Sequence, residues 1–139
     1  MKAGGMKAGG MKAGGMTTMR LPRLRRVCLS LPGASESVQW GGTYVYKVGG
    51  KMFALIGMEG RYFAGLSFKV SPESFHILTR EPGIVPAPYL ARAGWVNLDR
   101  LDRLPSAQLE AYIGRAHALI AAKLPRKLRA GLGIAAIKA

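Results

Sequence analysis

The sequence predicts an α+β fold: a two-layer sandwich whose mainly antiparallel sheet carries its helices on one face. Three observations predict it. Leu21, Leu24, Cys28 and Leu31 recur at helical spacing near the start, as Leu109, Tyr112, Ile113, Ala116, Ile120 and Leu124 do near the end. Between them, residues 43–48, 51–57 and 63–70 are rich in β-branched and aromatic residues and are separated by glycine-bearing turns. Each of these segments has one greasy and one mixed face, as in a sheet covered on one side only.

The elements follow in the order helix, three strands, helix, two strands, helix. Pro22 is tolerated in the first turn of the opening helix, and Pro32-Gly33 ends it. Gly49-Gly50 reads as a two-residue hairpin turn. A tight turn there sets Val48 opposite Lys51, Tyr46 opposite Phe53 and Tyr44 opposite Leu55 on one apolar face. Val45, Lys47, Met52 and Ala54 then fall on the other. In the third strand Leu66, Phe68 and Val70 alternate with Ser67 and Lys69. Ser71-Pro72 signals an N-cap and a short helix to about Arg80, stopped by Pro82-Gly83. Residues 84–94 hold Pro86 and Pro88 and read as an extended edge segment or loop, and residues 95–98 as a last strand. Ser106 is placed to cap the longest helix, which runs to about Leu124. Beyond Pro125 periodicity is lost, and a frayed tail is expected.

At 139 residues, 49% of them hydrophobic, the chain makes one domain with a core that needs no disulfide or metal. Its boundaries are read as a disordered leader at 1–17, the domain at 18–127 and a basic flexible tail at 128–139. The leader opens with three identical copies of Met-Lys-Ala-Gly-Gly over residues 1–15. Two glycines in five residues make ordering it costly in entropy. Alternative start codons or an expression remnant are favoured over a function for it. The single cysteine, Cys28, has no partner for an internal bridge and suits a reducing compartment. No run approaches the roughly 18–20 apolar residues of a membrane span, and no secretory signal is visible. The expectation is a cytoplasmic protein without membrane contact.

Charge is the strongest compositional signal: 21 Lys and Arg against 7 Asp and Glu, a net +14. Residues 20–122 hold 13 basic and 7 acidic groups, a net +6; the two ends, which have no acid, add +8. Such a balance attracts nucleic acid, anionic lipid and acidic proteins alike and says nothing of fold.

Several phrases, in order, resemble the MmcQ/YjbR family. They are Cys-Leu-Ser-Leu-Pro-Gly at 28–33, Trp40-Gly41, Gly50-Lys51-Met52-Phe53-Ala54, Leu66-Ser67-Phe68-Lys69-Val70, Pro86-Ala87-Pro88-Tyr89, Trp95-Val96 and Lys123-Leu124-Pro125-Arg126-Lys127. Together they span about residues 21–127. The resemblance implies a frataxin-like or secretion-chaperone-like α+β sandwich. Family members are commonly labelled DNA-binding, through a double wing of β-hairpins. The repetitive leader and the basic extension after Lys127 depart from the family pattern.

The candidate nucleic-acid-binding residues follow from charge and the expected open sheet face. Lys47 and Lys69 project from that face, Lys51 from the hairpin tip, and Arg61 and Arg92 from neighbouring loops; Arg126 and Lys127 begin the tail. Ammonium and guanidinium groups on a β-wing suit phosphate contact without sequence reading. The competing reading is that such lysines only keep an open sheet soluble. The run Arg20, Arg23, Arg25, Arg26 and the cluster Lys123, Arg126, Lys127, Arg129 are each either a phosphate grip or a solvated surface. Trp95 is read as packing rather than stacking on a base, and Trp40 as packing after the first helix. Catalytic candidates are thin. Cys28 lies on the apolar stripe of its helix, His76 and His117 sit on separate helices, and Asp99 and Asp102 alternate with Arg100 and Arg103 as in surface pairing. Gly49-Gly50-Lys51 lacks the earlier glycine and following hydroxyl of a phosphate loop. The expectation is a non-enzymatic, monomeric domain with no cofactor and no metal, binding nucleic acid, DNA foremost, with little sequence preference. The alternative is a chaperone-like protein-interaction module.

Overall fold

The structure, a computed structural model, describes residues 17–134, so the repeats of the leader and the last five residues lie outside it. Helix α1 spans Leu21–Ser30, followed by strands β1 (Ala34–Gln39), β2 (Thr43–Val48), β3 (Lys51–Glu59) and β4 (Tyr62–Lys69). Helix α2 (Pro72–Leu78) leads to β5 (Ile84–Pro86), a 3₁₀ turn at Ala91–Ala93 and β6 (Trp95–Leu98). A second 3₁₀ turn, Leu101–Arg103, precedes α3 (Ser106–Ala121) and α4 (Arg126–Gly131). The six strands form one sheet in the order β1-β2-β3-β4-β6-β5, every neighbour antiparallel.

The core lies between one sheet face and the helices. Leu24 and Cys28 of α1, Leu78 of α2, and Leu109, Ile113, Ala116 and Ile120 of α3 pack on Tyr46, Phe53, Ile56, Leu66, Phe68, Val96 and Leu98. The expected sandwich is therefore present, with the two helical stripes buried as their spacing requires. Among the described residues no helix is long and apolar enough to cross a membrane.

Four local expectations are corrected. The first is the hairpin register. Val48 faces Lys51 across the tip, but Tyr46 faces Ala54, not Phe53, and Tyr44 faces Ile56, not Leu55. Phe53 is an extra residue between the pairs Lys47–Met52 and Tyr46–Ala54, a β-bulge that sends both Phe53 and Ala54 into the core. Leu55 then joins Met52, already expected there, on the open face. Second, β1 was not foreseen; Ala-Ser-Glu-Ser-Val-Gln carries little apolar signal because it is an exposed edge strand. Third, residues 126–131 of the expected tail are helical. Arg129 donates from Nη1 to the carbonyls of Ala122 and Leu124 at 3.2 Å each, closing the end of α3, and Leu132 packs on the core. Fourth, the N-cap position of α3 belongs to Pro105; the Ser106 N–H instead reaches Thr17 O at 2.7 Å.

The β2–β3 tip shows why its two glycines differ. Gly49 and Gly50 have φ of 57° and 82°, the left-handed pair a two-residue hairpin needs. A Cβ on Gly50 would meet nothing, whereas one on Gly49 would come within 2.6 Å of Leu124 Cδ1. Gly50→Ala is expected to cost about 1 kcal/mol from backbone strain, and Gly49→Ala about 1–2 kcal/mol more from the clash with buried Leu124. Urea unfolding of the two variants measures the difference.

Candidate nucleic-acid interface

Chain direction decides where the cations gather. The β2–β3 tip sits at one end of the sheet, and the turns after β1 and after β3 at the other, roughly 30 Å away along the nine residues of β3. Lys51 is exposed at the tip, and Lys47, opposite Met52, projects from the open face just behind it. Lys69 ends β4 at the same end, opposite Trp95. Arg92 lies in the 3₁₀ turn that leads into Trp95. Leu124 rests on Gly49, so Lys123, Arg126 and Lys127 also belong to this end. Six of the seven expected residues are thus brought to one region. Arg61 is the exception: it lies on the β3–β4 turn at the far end, its guanidinium 5.9 Å from the Tyr62 ring centre.

Not all of these cations are free. The Lys69 ammonium donates to the carbonyl of Ala93, tying the 3₁₀ turn to the sheet. Burial, and then the nearby positive charge of Lys123, push its pKa below the usual lysine range. Among the described residues, none of the seven expected positions joins an ion pair.

Four of the seven carboxylates are spent elsewhere. Arg23 pairs with Glu110 at 2.6 Å, Arg100 with Asp102 at 2.5 Å, and Arg103 holds Asp99 through two bonds of 2.7 and 3.0 Å. Arg25 grips Glu36 at 3.1 and 3.2 Å and lies 4.4 Å over the Tyr44 ring, while the buried Tyr46 hydroxyl donates to Glu36 at 2.5 Å. The arginine run of α1 is therefore partly consumed within the domain. The bond from Arg25, aided by Tyr46, holds the Glu36 carboxyl below the usual carboxylate range.

The nucleophile and base candidates are packed or isolated. Cys28 is fully buried; burial, and then the charge of Glu36, push its thiol up to about 12. His117 is buried, its Nε2 is 2.7 Å from Pro32 O, and Phe53 lies edge-on at 5.3 Å. His76 is exposed on α2. Among the described residues, no group of three His, Cys, Asp or Glu side chains is placed to hold a metal ion.

The open face also carries a groove of about 560 Å³ that sequence reasoning missed. Met52 and Leu55 line it, as do Trp40 and Tyr89, which are 66% and 103% exposed. Trp40 was expected to pack, and it does not. The available signal was its place before Gly41-Gly42, a turn that ends β1 and frees the ring from the core. Trp95 does pack, at 4% exposure, and is closed to a stacking base.

With the geometry in place, comparison with known proteins identifies the chain. The YjbR family model matches residues 29–119. The chain belongs to the YjbR family. Its fold is similar to the crystal structure of a Deinococcus radiodurans protein with a DUF419 domain, at 28% identity and a TM-score of 0.75, covering 90% of this chain and 94% of that one. A Pseudomonas syringae protein shares the fold at 20% identity and a TM-score of 0.59, over 73% of this chain and 99% of its own. No curated protein matches the sequence.

For this YjbR chain, the Glu36 cluster yields a pH test. Folding lowers the Glu36 pKa, so its stabilisation is complete above the unfolded carboxylate range and is lost as pH falls through the folded value. Glu36→Gln is expected to cost about 1 kcal/mol at neutral pH. The gap to wild type should narrow as pH falls below the unfolded carboxylate range, measured by denaturant unfolding at neutral and acid pH.

Proposed function

We propose that this YjbR domain is a cytoplasmic, non-enzymatic nucleic-acid-binding module that grips the phosphate backbone of DNA with the basic end of its sheet. The observation that carries this reading is the division of charge. The acids at positions 36, 99, 102 and 110 neutralise arginines 23, 25, 100 and 103, while Lys47, Lys51, Arg92, Lys123, Arg126 and Lys127 share one end and join no ion pair among the described residues. Ammonium groups on a β-hairpin and guanidinium groups on a turn and a short helix neutralise phosphates without reading bases. Low sequence preference follows. Lys69 acts indirectly, by holding the turn that carries Arg92.

About five phosphate contacts give log affinity a slope against log salt of roughly −4 to −5. Fluorescence anisotropy with labelled duplex across about 50–200 mM salt measures it. Lys51→Ala and Lys127→Ala should each weaken binding and flatten the slope by about 1. Arg23→Ala, which removes a cation already paired with Glu110, should leave the slope unchanged. Weak binding at low salt, or affinity indifferent to salt, defeats the reading.

A further inference from the structure

Trp40 and Tyr89 line the same groove on the open sheet face, and both adopt left-handed backbone, with φ of 51° and 65°. Bulky residues rarely take that conformation, and each costs of order 1 kcal/mol relative to glycine or asparagine. Neither ring repays the cost by burial, since both are largely exposed. Core packing therefore does not account for them, and solubility argues against them.

The groove between them is flat and apolar. Gly57 pairs with Gly65 across β3 and β4, so part of its floor is bare backbone, flanked by Met52 and Leu55. A Cβ on Gly65 would come within 3.2 Å of Asn97 Nδ2, so even a methyl group would crowd this floor. Its polar side chains are Thr43 and the pair Asn97 and Ser67, joined at 2.8 Å, besides the polar tips of the two rings; no Asp, Glu, Lys or Arg lines the groove. Charge sits beyond its ends. Lys47, opposite the floor residue Met52, marks one end, and Arg61, on the turn at the Trp40 end of the sheet, marks the other, with Glu59 on the same turn.

We infer that the groove takes unpaired bases of a single strand, stacked on Trp40 and Tyr89, while the cations at either end hold the flanking phosphates. This inference rests on the nucleic-acid reading above and extends it from backbone contact to base contact. An uncharged, largely apolar groove with Lys47 beyond one end and Arg61 beyond the other complements a polymer whose faces are aromatic and whose backbone is anionic. A duplex keeps its bases stacked and cannot enter.

The test compares three labelled probes on the full chain: a thymidine oligonucleotide, an abasic strand of equal length and a duplex. Tryptophan emission is followed alongside, since Trp40 is exposed and Trp95 is buried. The thymidine strand should quench emission and bind about tenfold more tightly than the abasic strand. Trp40→Gly and Tyr89→Gly should each remove about that factor while leaving duplex binding and its salt slope unchanged. Glycine suits the positive φ at both positions, so the unfolding midpoints should hold or rise. Equal affinity for thymidine and abasic strands, or a Trp40→Gly protein that binds as wild type, overturns the groove and leaves the cationic reading standing. Failure of all three probes at low salt overturns both. Sedimentation that shows a dimer dissolved by Trp40→Gly assigns the groove to a second copy and overturns the inference.

Discussion

A six-stranded sheet with helices on one side must satisfy two solvents at once, and the bulge at Phe53 sets how this chain does so. Regular alternation would send Phe53 and Ala54 to opposite faces. The bulge turns both inward, where Phe53 meets Tyr46 and the edge of His117. Burying a phenylalanine is worth about 2–3 kcal/mol, and a lost ladder hydrogen bond costs about 1 kcal/mol. Burial wins. The same shift of phase puts Leu55 beside Met52 on the open face, so one irregularity both completes the core and makes the outer face apolar. Aromatic residues then find a greasy floor on the side that the helices leave bare.

Electrostatics adds a second layer of order. Arg23 and Arg25 of α1 are matched to carboxylates, and Arg129 is turned inward on the last carbonyls of α3. Cations near the β2–β3 tip are not matched. Burial lowers the basicity of Lys69 and the charge of Lys123 lowers it further, although one belongs to β4 and the other follows α3. The screening length is about 8–10 Å at ordinary ionic strength, so charges in this region repel one another in solution. A folded domain retains such repulsion at some cost to stability, and a polyanion relieves it.

Much of the fold was legible because it is written in periodicity. Helices α1 and α3 came from stripes of 3.6 residues, and β2 to β4 from alternation between glycine turns. What escaped was encoded in tertiary terms. Strand β1 is held by its ladder to β2 rather than by an apolar face, and helix α4 by Leu132 against Gly33 and by Arg129. The bulge is invisible locally, because Phe53 and Ala54 suit a strand whichever way they point. For the interface, residue type was enough to nominate Lys47, Lys51, Arg126 and Lys127 but not to relate them. Their common location depends on Leu124 docking on Gly49, a contact across 75 residues. Arg61 was grouped with them by residue type, although an antiparallel meander puts the turns at 49–50 and 60–61 at opposite ends of the strand between them.

On the proposed reading, grip and selectivity belong to different parts of the sheet. Point charges at the tip neutralise any phosphate, so affinity there follows charge density and salt. The groove contributes stacking, which accepts every base because each has a π-face. Thr43, Ser67 and Asn97 could sense a base edge, and Ser67 and Asn97 spend part of their hydrogen-bonding capacity on each other. Strong discrimination needs buried polar groups that the wrong partner leaves unpaired. With three such side chains, none charged and two of them already joined, the surface can hold a strand firmly while caring little about its sequence.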